Sequence, residues 1–151
     1  MARKNIVIVD IDGTICVPDP ERLKHAHVDW DKFYQDRFDD PPIPEMVDLV
    51  KYLAKRYTVV YCTARQEKAR VKTLNWFDKH GLPYDNKLLL MRPDGDERPT
   101  AELKPGLVQS AGVRLNQIAF VLEDHVEMTK VWREKGVRVL QVDANGLQNF
   151  L

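Results

Sequence analysis

Two aspartates stand two residues apart in Asp10-Ile11-Asp12-Gly13-Thr14, directly after the apolar run Ile6-Val7-Ile8-Val9. Residues i and i+2 of a strand share a face, so both carboxylates are delivered together at the carboxyl end of a buried strand. Two unpaired acids repel each other and resist leaving water, which implies a bound cation or a reaction that uses them. Gly13 lets the chain turn close to whatever the acids hold. Asp-Gly is also a common turn pair, and a solvated hairpin turn is the alternative reading of the same residues. Three more spots carry chemistry: Thr63-Ala64-Arg65, Lys104 and Glu123-Asp124. Acidic oxygens suit Mg²⁺, which keeps several waters when it works with phosphate. A hydroxyl, backbone amides, a lysine and an arginine suit phosphate oxygens. The combined set describes a site for phosphoryl transfer.

The elements that must position these residues alternate between strand and helix patterns, the signature of a parallel α/β sheet. Strands are predicted at Ile6–Val9, Tyr57–Cys62, Lys87–Met91, Ile118–Leu122 and Val137–Val142. Helices are predicted from Pro44, with Met46, Val47, Leu49, Val50 and Leu53 at helical spacing, and over Glu67–His80, Ala101–Ala111 and His125–Lys135. Gly81 and Pro83 stop the second of these. In open sheets of this kind ligands bind beyond the strands' carboxyl ends, which is where Asp10, Thr63 and Glu123 fall. The polar stretch from Pro18 to Pro44 carries a short helix around Trp30 to Phe38, in which Trp30, Phe33, Tyr34 and Phe38 form an apolar face or a stacking platform. It is too short for a domain and reads as an insertion at about residues 15–43 of one domain spanning 1–151.

Twenty-three basic residues balance 23 acidic ones, so no global positive field argues for sequence-indifferent nucleic-acid binding. The first residues are polar and the apolar runs are strand-sized, which excludes a signal peptide or membrane span from this reading and places the protein in the cytosol. Cys16 and Cys62 follow apolar segments without metal-ligand spacing and read as buried reduced thiols.

Taken in order, Asp10-Ile11-Asp12-Gly13-Thr14, Thr63, Lys104 and Glu123-Asp124 resemble the four motifs of haloacid dehalogenase superfamily phosphatases. A closer resemblance is to the 3′-phosphatase domain of phage polynucleotide kinases, carried by Thr63-Ala64-Arg65 and by Arg92-x-x-Gly95-Asp96-x-Arg98 ahead of Lys104. Met128, Trp132-Arg133, Gly136-Val137 and Gln141-Val142 extend it. The resemblance implies a three-layer Rossmann-like fold: a five-stranded, mainly parallel sheet, helices on both faces and only a small cap insertion. It also implies Asp10 as nucleophile, Asp12 as acid and base, and Thr63 and Lys104 on the transferred phosphate. Mg²⁺ would be held by Asp10, the backbone carbonyl of Asp12, and Glu123 or Asp124. Gly13, Thr14, Ala64, Arg65, Asp96 and Arg98 are carried over as substrate-binding.

The implied activity is removal of 3′-phosphates from nucleic-acid ends. The sequence lacks the Gly-x-x-x-x-Gly-Lys-Ser/Thr phosphate loop of the kinase half, so the enzyme acts alone or beside a separate polynucleotide kinase or ligase. Glu123 stands where the subgroup more often has aspartate, and Thr100 where an acid precedes the lysine by four residues. Alternatives remain at this level: a nucleotidase or other small-molecule phosphatase, or a receiver-like signalling domain. For single residues, Thr63 also reads as a helix cap, Lys104 as a solvated helix lysine, and Arg65 and Arg98 as partners of surface acids.

Overall fold

The computed structural model describes residues 3–18 and 39–143. Its sheet has five strands, all parallel: β1 (Ile6–Val9), β2 (Thr58–Gln66), β3 (Leu89–Arg92), β4 (Ile118–Glu123) and β5 (Val139–Gln141), in the order β3-β2-β1-β4-β5. β1 is central and buried on both faces, which is why its sequence is an unbroken apolar run rather than an alternation. Its side chains still divide with period two. Val7 and Val9 belong to one core with Val47, Val50, Trp76 and Phe77, while Ile6 and Ile8 belong to the other with Val108, Met128 and Trp132.

Four helices supply those two outer layers: α1 (Pro44–Leu53), α2 (Arg70–Lys79), α3 (Thr100–Ser110) and α4 (Val126–Glu134). Pro44 sits in the first turn of α1, where the missing N–H is no loss. Val47 and Val50 face the sheet, whereas Leu49, expected on the apolar face, is exposed. α2 ends as expected at Gly81, which takes φ +67° while the Leu82 amide reaches back to the Phe77 carbonyl at 2.9 Å. The expected helix over 67–80 begins instead as a 3₁₀ turn, Glu67–Ala69, before α2. Lys87 and Leu88, expected to open a strand, fall instead in a second 3₁₀ turn, Asn86–Leu88, fixed by the Asp85 carboxylate accepting from the Lys87 amide. The second strand runs four residues further than its apolar run, as far as Gln66, because its far end is irregular.

The strand order places β2 and β3 on one side of β1 and β4 and β5 on the other, so the direction of winding reverses at β1. Such a reversal opens a crevice at the strands' carboxyl ends. Of the stretch from 15 to 43, the two feet are described: the Val17 amide donates to the Pro41 carbonyl and the Ile43 amide to the Ile15 carbonyl, each at 2.8 Å. The helix expected around Trp30 to Phe38, with its aromatic residues, falls outside the described residues. Among the described residues no helix is long and apolar enough to cross a membrane.

Candidate active site

Strand register assembles the site. Val9 of β1 lies opposite Tyr61 of β2 and Leu122 of β4, so the residues one step on, Asp10, Cys62 and Glu123, come abreast at the edge of the crevice. The Asp10 amide donates to the Leu122 carbonyl at 3.0 Å, extending the ladder beyond β1. Asp10 is buried, and both of its oxygens are engaged: Lys104 Nζ donates to Oδ1 at 2.7 Å and Thr14 Oγ1 to Oδ2 at 2.9 Å.

Lys104 comes from the first half of α3. It is only 3% exposed, and its ammonium also donates to Glu123 Oε2 at 2.8 Å. Burial works against this charge, but Asp10 and Glu123 outweigh it and hold the Lys104 pKa above that of an ordinary lysine. The solvated-lysine alternative is thereby excluded. Glu123 Oε1 accepts from the His125 amide at 3.3 Å. Asp124 follows at the mouth, 3.3 Å from the Thr14 hydroxyl. Gly13 makes that approach possible: its φ is +82°, and a Cβ there would collide with the Asp124 carboxylate.

Asp10, Glu123 and Asp124 each place one oxygen within 4.8 Å of the others. Among the described residues these three acids face one ammonium, that of Lys104, in a poorly solvated place. Burial, then the Asp10 charge, pushes Glu123 up to about 7 and Asp124 up to about 9. An all-oxygen donor set short of positive charge fits a hard divalent cation such as Mg²⁺ and fits zinc poorly. Cys62 does not alter this, since burial raises its thiol to about 12 and the thiol donates to the Lys104 carbonyl at 3.9 Å.

The Asp12 side chain lies outside that trio. It is grouped instead with Cys16 and Asp40 around the guanidinium of Arg65, which donates to Asp12 Oδ2 at 2.9 Å and Oδ1 at 2.7 Å. Its side chain keeps 31% exposure, against 4% for that of Arg65, so Asp12 faces the crevice while its partner is hidden. Arg65, carried over as substrate-binding, thus pairs with the half-buried Asp12 and the buried Asp40 rather than with surface acids.

Thr63 and Arg65 owe their placement to an irregularity in β2. Cys62 pairs with Leu90 and Gln66 with Arg92, so four steps along β2 match two along β3. The surplus chain bulges, and a bulge re-aims side chains at a site. Thr63 is buried and its hydroxyl accepts from the Arg65 amide at 3.1 Å. It lies within β2, well before α2, which removes the helix-cap alternative. The Ala64 carbonyl accepts from Arg92 Nε at 3.1 Å. The other end of Arg92 fixes the loop before α3, Nη1 donating to the carbonyls of Asp96 at 3.0 Å and Arg98 at 2.6 Å. On that loop Arg98 hydrogen-bonds the Asp96 carboxylate and lowers its pKa to about 2.

Of the residues singled out in the sequence, the fold brings Asp10, Thr14, Lys104, Glu123 and Asp124 together, with Asp12 beside them. Asp96 and Arg98 stand apart on the loop. Asp40 and Thr73, both partners of Arg65, were not found; nothing in their spacing ties them to the motifs.

A parallel sheet with a reversing strand order, an aspartate after its central strand, a buried lysine and an acidic mouth define a haloacid dehalogenase-type phosphatase. The polynucleotide kinase PNKP phosphatase domain family matches residues 4–147, and the chain belongs to that family. Solved structures agree. One chain of a Pnkp1/Rnl/Hen1 RNA repair complex superimposes with a TM-score of 0.73 at 25% identity, over 91% of this chain and 42% of that one. A second Pnkp1/Rnl/Hen1 complex gives 0.72 at 25% identity, over 92% and 46%. The chain thus spans less than half the length of the chains it matches there. A class C acid phosphatase from Bacillus anthracis with tungstate bound shares the fold, with a TM-score of 0.63 at 14% identity over 93% of this chain and 67% of that one. No curated protein sequence matches the chain.

Proposed function

We propose that this phosphatase is a Mg²⁺-dependent phosphomonoesterase that removes 3′-phosphates from nucleic-acid ends through an aspartyl-phosphate on Asp10. The observation that carries the reading is the grip on Asp10: Lys104 on one oxygen and Thr14 on the other fix the carboxylate at the crevice beside two more acids. A carboxylate so held is an oriented nucleophile. Mg²⁺ held by Asp10, Asp124 and the Asp12 carbonyl, with Glu123 behind Lys104, would neutralise charge that otherwise repels a phosphate dianion.

An Asp10 oxygen attacks phosphorus and the bond to the leaving 3′-oxygen breaks; Asp12 gives that oxygen its proton. Asp12 then takes a proton from the water that attacks the aspartyl-phosphate, which releases inorganic phosphate and restores Asp10. Thr63 and Lys104 hold the remaining phosphate oxygens as charge develops. Membership of the PNKP phosphatase-domain family and the likeness to RNA repair complexes support a polynucleotide end as substrate and a separate kinase and ligase as partners. The test compares turnover, with Mg²⁺, of a 3′-phosphorylated oligonucleotide, its 5′-phosphorylated isomer and 3′- and 5′-mononucleotides. The 3′-phosphorylated oligonucleotide is expected to lead; faster turnover of a mononucleotide would favour a nucleotidase.

A further inference from the structure

The 23 basic and 23 acidic residues of the chain are not evenly spread over the fold. Acids gather at the carboxyl edge of the sheet, where Asp10, Asp12, Asp40, Glu123 and Asp124 stand. At the amino edge the sign reverses. The segments that lead into β1, β2 and β4 run side by side there, because the Thr58 amide donates to the Asn5 carbonyl at 2.9 Å and the Asn5 amide to the Gln117 carbonyl at 3.1 Å. They carry Arg3, Lys4, Lys55, Arg56 and Arg114, and Lys135 joins Arg114 on the wall of one cavity. All six side chains are exposed, and residues 3–5, 54–57, 111–117 and 135–138 hold no acid. Among the described residues none of the six is ion-paired; Glu134, the acid next to Lys135 in the chain, lies 4.0 Å from Lys130 instead. The helix dipole accounts for Lys55, Arg56 and Lys135, which follow the ends of α1 and α4, but not for Arg3, Lys4 or Arg114.

The cavity between Arg114 and Lys135 measures about 410 Å³ and is floored by Pro105 and Val108 of α3 and by Val113 and Leu115 of the stretch leading into β4. Leu115 keeps 43% exposure there. Cations beside an open apolar hollow suit a ligand that is acidic and has an apolar side chain to insert. A nucleic-acid strand would meet the cations but leave the hollow unused, since no described aromatic residue lines it on which a base could stack. The strand would also be drawn away from Asp10, which lies four residues beyond Ile6, about 13 Å along β1. We propose that this amino-edge face docks a partner protein through an acidic segment carrying one bulky apolar side chain. The acids meet Arg114, Lys135 and the neighbouring cations, and the side chain fills the hollow. A partner held there leaves the crevice at the opposite edge open to substrate.

The experiment selects random peptides of about 12 residues on the folded protein, and repeats the selection on an Arg114→Glu/Lys135→Glu double variant and on Leu115→Ser. Melting curves and p-nitrophenyl phosphate turnover show that each variant is intact. The peptides enriched on the wild-type protein are expected to place several acids around one large apolar residue. They should bind the double variant about tenfold or more weakly, bind Leu115→Ser more weakly than wild type, lose affinity as salt rises, and leave turnover unchanged at saturation. No enrichment, enriched peptides without an excess of acids, equal binding to the double variant, or competition with substrate overturns the inference. A single strand of about 20 nucleotides that binds more tightly than the peptides, and loses that binding in the double variant, assigns the face to nucleic acid and overturns it too. So does self-association that the double variant abolishes, since the occupant is then the acidic edge of a second copy. A wild-type protein without phosphatase activity would remove the proposed function and leave this docking face standing.

Discussion

At the scale of single residues, charge balance governs the site. Asp10→Asn removes the proposed nucleophile but keeps its size, so phosphatase turnover is expected to vanish while the melting temperature holds or rises, because one of three crowded acids is gone. Substantial turnover by purified Asp10→Asn protein would rule out the aspartyl-phosphate. Lys104→Met does the reverse. It strands Asp10 and Glu123 in a buried place, which costs about 3 kcal/mol or more in metal-free protein, and added Mg²⁺ should recover part of that loss in a thermal melt. The raised acids set the direction of the pH dependence. Their folded pKa values, about 7 for Glu123 and about 9 for Asp124, exceed the unfolded values near about 4. The folded state therefore binds more protons than the unfolded state, and stability drops as pH rises through that window. Melting temperatures in EDTA are expected to fall from about pH 4 to about pH 9, and Mg²⁺ should flatten the decline by binding the deprotonated trio. A melting temperature in EDTA that rises over this range would contradict the crowding of the three acids.

At the scale of elements, the strand ends hold most of the candidate site, and their geometry decides what a sequence reveals. Asp10, Lys104 and Glu123-Asp124 were legible because strand ends and helix starts follow from apolar periodicity, and parallel register then brings the ends together. Element boundaries were less legible. The 3₁₀ turns Glu67–Ala69 and Asn86–Leu88 carry no periodic signal, and the bulge in β2 arises from mismatch with β3, which the β2 residues alone do not encode. The pairing of Arg65 with Asp12 and Asp40 was illegible for the same reason: Arg65 lies within the stretch of β2 where the register shifts. The turn after β1 gives a prediction at this scale. Gly13→Ala forces a side chain onto φ +82° and into the Asp124 carboxylate, so Asp124 must move away. Half-maximal activation should then need about tenfold more Mg²⁺ or beyond, read from a metal titration of turnover. An unchanged titration would mean that Asp124 does not hold the metal.

At the scale of the whole molecule, a reversing sheet offers one crevice, and the loop from β3 to α3 offers a second point of contact for a long substrate. Arg92 ties that loop to the β2 bulge through Ala64, so the segment carrying Asp96 and Arg98 is fixed relative to Thr63 and Lys104. Arg98 is exposed and already bound to Asp96, an arrangement that contributes little to folding and can trade partners when a polyanion arrives. An arginine that holds a phosphate remote from the reacting one acts only on substrates that carry the second phosphate. Arg98→Ala is therefore expected to lower turnover of a 3′-phosphorylated oligonucleotide more than that of p-nitrophenyl phosphate, with the melting temperature little changed. Added salt should reproduce part of the oligonucleotide loss in the wild-type protein and less of it in Arg98→Ala, since the screened contact is already missing there. If both substrates fall equally, Arg98 serves the reacting phosphate or the loop itself, and the polynucleotide reading must rest on family membership without support from this surface.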